Sequence, residues 1–166
     1  MKVDYALVLA AGKGTRMGCI GKELPKVIWP IFEKSLLELE TLYCKEFGAK
    51  KIFVNLYNYQ DKILNFLNTQ KLDQSVNIII EGDTLDIGGA IHNLASKLNY
   101  KGKLLVVNSD QFIMLSNKVK KSFFEASNKH DIVLLTYNVE GHELYNGVES
   151  ISNQVIDIRS NSTYKR

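Results

Sequence analysis

The stretch LVLAAGKGTRMG, residues 7–18, runs an apolar strand straight into two glycines, a lysine and an arginine. Glycine lets backbone approach a ligand closely and adopt positive φ. Successive N–H groups in such a turn can cradle phosphate oxygens. The chemistry on offer is anion binding, and two familiar loops do not fit it. A Walker A loop needs G-x-x-x-x-G-K-[ST], but Lys13 is followed by Gly14. A dinucleotide-binding turn needs G-x-G-x-x-G and an acidic residue closing the second strand. Gly12, Gly14 and Gly18 are spaced too widely for it, and the second strand closes on Asn55, Leu56 and Tyr57.

A third reading fits. LAAGKGTRMG (9–18) followed by KELPK (22–26) resembles the signature of the sugar-nucleotide pyrophosphorylases, L-[AG]-[AG]-G-x-G-[ST]-R-[ML] followed by P-K. EGDTLDIGGAI (81–91) resembles the E-G-x-x-L-[ED]-T-G-G-[GA]-I segment of hexose-1-phosphate nucleotidyltransferases, and LLVVNSD (104–110) resembles their L-V-V-N-G-D. The chain is most similar to the mannose-1-phosphate guanylyltransferase and N-acetylmuramate-1-phosphate uridylyltransferase types, over residues 3 to about 139. A cytidylyltransferase acting on an alcohol phosphate such as phosphocholine shares the first loop and the P-K pair but generally lacks G-G-[GA]-I. A molybdenum-cofactor guanylyltransferase is disfavoured on the same ground. A nucleotide-binding module without turnover is the reading from a different class.

The resemblance implies attack of a sugar 1-phosphate on the α-phosphorus of a nucleoside triphosphate, with Mg²⁺ as cofactor and pyrophosphate as leaving group. Such a reaction needs no protein nucleophile, only alignment and charge neutralisation. The resemblance assigns nucleotide binding to Leu9, Ala10, Ala11, Gly12, Gly14, Thr15, Arg16, Glu81, Gly88 and Gly89. It assigns catalysis to Arg16 and Lys26, and the metal to Asp110. Arg16 offers a planar fork suited to phosphate, and Lys26 would bridge the two reacting phosphates. Asp110 would hold Mg²⁺, which takes oxygen ligands and keeps several waters. Glu81 and Asp86 read equally well as turn or capping residues. Arg16→Ala is expected to weaken triphosphate binding by roughly 1.5–3 kcal/mol, the scale of a charge-assisted hydrogen bond; calorimetric titration measures it.

These residues need a scaffold. Strands are predicted over 5–10, 51–58, 76–81, 103–110 and 131–139, and helices over 35–47, 59–68, 88–98 and 117–127. Ser35 with Glu38 forms a capping box, Gly48 ends that helix, and Leu36, Leu39, Leu42, Tyr43 and Phe47 fall on one stripe. Ser116 is placed to cap the last helix. Two short β-like pieces, 147–151 and 154–158, flank Ser152 and Asn153 as a hairpin. The alternation predicts an α/β fold, a Rossmann-like three-layer α/β/α sandwich with a mostly parallel sheet. Ligands of such sheets bind at the carboxyl ends of strands, where Gly12–Arg16, Glu81–Gly89 and Asp110 all fall.

The 166 residues suit one domain, and the 45% hydrophobic and 23% charged composition is that of an ordinary globular chain. The expectation is a single nucleotidyltransferase domain over 1–166. The family pattern usually continues beyond this point, carrying a second metal-binding aspartate and much of the sugar pocket. These residues are therefore expected to bind nucleotide and to turn over slowly or not at all. Net charge is only +3, and no nucleic-acid motif is present, so the expected partners are a nucleoside triphosphate and a sugar 1-phosphate rather than nucleic acid or membrane. Cys19 and Cys44 make no metal or disulfide pattern, and His92, His130 and His142 lie at no metal spacing. A cytoplasmic setting is expected, and a homo-oligomer is compatible with all of this.

Overall fold

The computed structural model describes residues 2–14, 18–99, 101–136 and 147–159. The chain divides into two compact units, Met1–Met114 and Leu115–Arg166. The first runs β1 (Tyr5–Leu9), α1 (Gly18–Glu23), a 3₁₀ turn (Lys26–Ile28), β2 (Pro30–Ile31), β3 (Lys34–Ser35), α2 (Leu36–Glu46), β4 (Lys51–Leu56), α3 (Gln60–Thr69), β5 (Asn77–Ile80), α4 (Ile87–Leu98) and β6 (Leu104–Asn108). The second holds α5 (Asn117–Ser127), β7 (Gly147–Ile151) and β8 (Gln154–Arg159).

The first unit is built on an all-parallel sheet ordered β5–β4–β1–β6. Its middle strand is the apolar run that leads into the glycine turn. Ala6, Leu7 and Val8 are wholly buried, as a strand covered on both faces requires. On one face Leu7, Phe53 and Ile79 pack against Ala90 and Leu94 of α4. The opposite pleat (Ala6, Val8, Val54 and Leu56) is equally buried, and α2 also touches β1.

Local signals set the helix ends. Ser35 and Glu38 form the expected capping box of α2, and Gly48 takes φ 82° just beyond it. The Ser116 side chain caps α5. Asp86 accepts from the Gly89 N–H and starts α4 at Ile87, one residue early, so its capping role is the one realised. Ser152 and Asn153 both adopt positive φ (50° and 64°) between β7 and β8, the twist a two-residue hairpin turn needs.

Two expectations need correction, and one segment carried none. The buried face of α2 is Leu36, Leu37, Glu40, Thr41 and Cys44, whereas Leu42 is exposed; polar Glu40 and Thr41 hid the true stripe. Residues 131–136 form no strand, and Ile132 is 82% exposed; an apolar run becomes a strand only with a ladder partner, and these have none among the described residues. Residues 137–139 of that expected strand lie outside them. Finally, the 18–35 segment is ordered into α1, the 3₁₀ turn and the β2–β3 pair, elements too short to leave a periodic signal.

Candidate functional site

The carboxyl ends of β1, β4, β5 and β6 gather most of the residues singled out above. The chain leaves β1 through Ala10 and Ala11, both buried, into Gly12, Lys13 and Gly14, which are more open. Gly14 sits at φ 61°, a left-handed conformation that glycine adopts freely. A Cβ on Gly12 would meet nothing within 4 Å, so that side of the loop faces open space. Thr15 and Arg16 lie outside the described residues.

The root of the loop is fastened on two sides. Leu9 accepts from the Ser109 N–H at 3.3 Å, which ties β1 to the turn carrying Asp110. Ala10 N–H donates to Asn55 Oδ1 at 2.8 Å, and Asn55 Nδ2 donates to Glu81 Oε1 at 2.9 Å. The amide of Ala10 is thus already used. Glu81 is only 2% exposed, and its Oε2 has no hydrogen-bond partner among the described residues. A buried acceptor without a donor is costly unless a ligand supplies one.

Lys26 projects from the 3₁₀ turn after Pro25. That turn is held because Trp29 Nε1 donates to the Leu24 carbonyl at 3.0 Å. The Lys26 ammonium meets Asp110 Oδ2 at 3.0 Å, with both side chains about a third exposed (31% and 37%). The two residues that the sequence assigns to catalysis and to metal, 84 apart, therefore touch. Gly88 and Gly89 form the first turn of α4; a Cβ on Gly89 would crowd Leu85 Cβ at 3.2 Å, so a larger residue there needs Leu85 to shift.

Sequence reasoning missed one group here. Glu40 of α2 is 4% exposed, and burial, followed by the nearby charge of Asp110, pushes its carboxyl up to about 8. Its signal was a charged residue inside a buried helix face. Among the described residues no three His, Cys, Asp or Glu side chains group as a metal cluster. No described helix is long and apolar enough to cross a membrane.

Comparison with known proteins gives a consistent picture. The profile described as nucleotidyl transferase matches residues 5–159. The chain is similar to the bifunctional protein GlmU of Buchnera aphidicola, 30% identical over 92% of this chain and 31% of that protein. It is similar to D-glycero-alpha-D-manno-heptose 1-phosphate guanylyltransferase of Campylobacter jejuni, 31% identical over 64% of this chain and 48% of that protein. The chain thus spans half or less of the length of these two relatives. Among solved structures it resembles HddC from Yersinia pseudotuberculosis complexed with GMP-PN, with TM-score 0.76 and 28% identity over 95% of this chain and 69% of that one.

Proposed function

The chain belongs to the nucleotidyl transferase family, and from that premise we propose that it transfers a nucleoside monophosphate from a triphosphate to a sugar 1-phosphate, releasing pyrophosphate. The observation that carries this reading is the Lys26–Asp110 pair beside the glycine loop. It sets a cation for phosphates next to a carboxylate for a metal. In the reaction a sugar-phosphate oxygen attacks the α-phosphorus, and pyrophosphate leaves with the bonding electrons. The loop amides hold the triphosphate. Lys26 draws the sugar phosphate to the same place, and its charge offsets that of the two anions as they meet.

Mg²⁺ suits this donor set and, when bound, would neutralise phosphate oxygens. Asp110 offers one oxygen-donor carboxylate at the crevice, with no cluster of further ligands among the described residues. Mg²⁺ is commonly held by one or two carboxylates plus substrate phosphates, so its binding here would depend on nucleotide. Asp110→Asn is expected to erase the effect of Mg²⁺ on nucleotide affinity. It should barely move the ligand-free melting temperature, since a part-exposed ion pair contributes about 0–1 kcal/mol. Titrations with and without Mg²⁺, and a thermal melt, check both.

Guanine is the base in this reading. Among the described residues Glu81 Oε2 lacks a hydrogen-bond donor. The guanine N1–H or N2–H₂ would supply that donor, as would the N3–H of uracil or thymine, so the choice of base rests on the relatives. The guanylyltransferase relatives and the GMP-PN complex of HddC support the same base. A panel of GTP, UTP, dTTP and CTP tests it by calorimetry: GTP should bind tightest. Tighter UTP binding would overturn the base, and no binding by any of the four would overturn the reading itself. The heptose 1-phosphate for which the Campylobacter relative is named is the first acceptor to assay.

A further inference from the structure

We propose that Asn58 and Tyr59, at the corner between β4 and α3, are positioning residues that turn the N–H groups of Gly12 and Gly14 toward the bound phosphates. This rests on the nucleotide reading above and names the side chains that orient its phosphate loop. Asn58 Nδ2 donates to the Ala11 carbonyl at 2.7 Å, and the Tyr59 hydroxyl donates to the Lys13 carbonyl at 3.4 Å. In a trans peptide the C=O of one residue and the N–H of the next point in opposite directions, and no cis bond occurs among the described residues. Holding the carbonyls of Ala11 and Lys13 against the β4–α3 corner therefore aims the amides of Gly12 and Gly14 the other way. A Cβ at Gly12 would meet none of the described residues within 4 Å, so the loop leaves room for a ligand.

The corner itself breaks two local rules. Tyr59 occupies the N-cap of α3, where a short polar side chain is usual, and makes no capping bond. It also sits at φ 59°, a conformation unusual for a bulky residue and kept only where surroundings enforce it. The side chain that forgoes capping is the one that reaches the loop. Strain and a lost cap together mark a position chosen for something other than helix stability.

The test compares GTP with guanosine on the wild type, Asn58→Asp and Tyr59→Phe. Asn58→Asp sets an acceptor against the Ala11 carbonyl, and Tyr59→Phe deletes only the hydroxyl. Expected is a loss of GTP affinity of about tenfold or more in Asn58→Asp and about threefold in Tyr59→Phe, on the scale of one hydrogen bond. Guanosine affinity should stay within about twofold, because it has no phosphate to orient. Equal losses for GTP and guanosine, or no loss for either, would overturn the positioning role while leaving the nucleotide reading intact. A wild type that binds neither would overturn both. Should Asn58→Asp fail to fold, Tyr59→Phe carries the same comparison alone.

Discussion

Gly14→Val is expected to abolish nucleotide binding, with GTP affinity reduced by about a hundredfold or more. Gly14 sits at φ 61°, a region that a β-branched residue enters at a cost of about 1–3 kcal/mol. The nearest atom to an added Cβ is the Gly21 carbonyl oxygen at 3.7 Å, an ordinary contact. The penalty is thus in the backbone. The loop escapes it by rotating out of the left-handed region, which carries the Gly14 amide away from its ligand and forfeits a charge-assisted bond of about 1.5–3 kcal/mol. Stability should fall by no more than the strain, because the residue lies outside every helix and strand. Calorimetric titration with GTP and a thermal melt separate the two effects. A folded variant that binds GTP as tightly as wild type would reduce the loop to a structural turn.

Glu40→Gln should raise the melting temperature at alkaline pH and leave it unchanged near pH 4.5. The ordinary Glu40 value of 4.5 rises to about 8 on folding. Below about pH 4.5 the carboxyl is protonated in both folded and unfolded chains, and its contribution is complete. Between 4.5 and 8 the unfolded chain releases the proton and the folded chain keeps it, so stability falls as pH rises. Above 8 both forms are ionised and the penalty is constant. The shift corresponds to about 3–5 kcal/mol at its largest. Glutamine is neutral throughout, so the variant should lose most of this slope and melt roughly 5–10 °C above wild type at pH 8.5. Parallel pH profiles for the two proteins would show that Glu40 is ionised and stably paired in the fold.

The features legible in the sequence were those with a local cause. The capping box of Ser35 and Glu38, the glycine at position 48 and the doubly apolar strand at Tyr5–Leu9 each act within a few residues, and each is present in the structure. The candidate site was marked in the sequence by whole motifs rather than by single side chains. Lys26 and Asp110 were assigned separate roles, and their contact at 3.0 Å is a fact of topology that no spacing encodes. Asn55 entered the sequence reading as part of the close of the second strand, and in the fold it ties Ala10 to Glu81. Asn58 and Tyr59 gave no signal, because their partners are main-chain carbonyls, which leave no mark on side-chain identity. Glu40 was obscured differently. A helix with a charge on its buried face defeats a stripe drawn through its leucines.

Both partners of β1 lie far along the chain. Tyr5 aligns with Lys51 on one side and with Leu104 on the other, so β1 emerges from the ribosome with neither neighbour made. Antiparallel hairpins close within a few residues, whereas this strand waits about fifty residues for its first neighbour and about a hundred for its second. Long-range parallel pairing of this kind slows folding, because the entropy of closing the loop is lost before any contact compensates it. Until β6 is translated the apolar strand has an open edge, the state in which a chain is most exposed to wrong partners. The phosphate loop leaves the end of that strand, and Ser109 fastens its root only after β6 has docked. Nascent chains released before residue 104 would carry the whole opening motif and still lack one of the contacts that hold it in place.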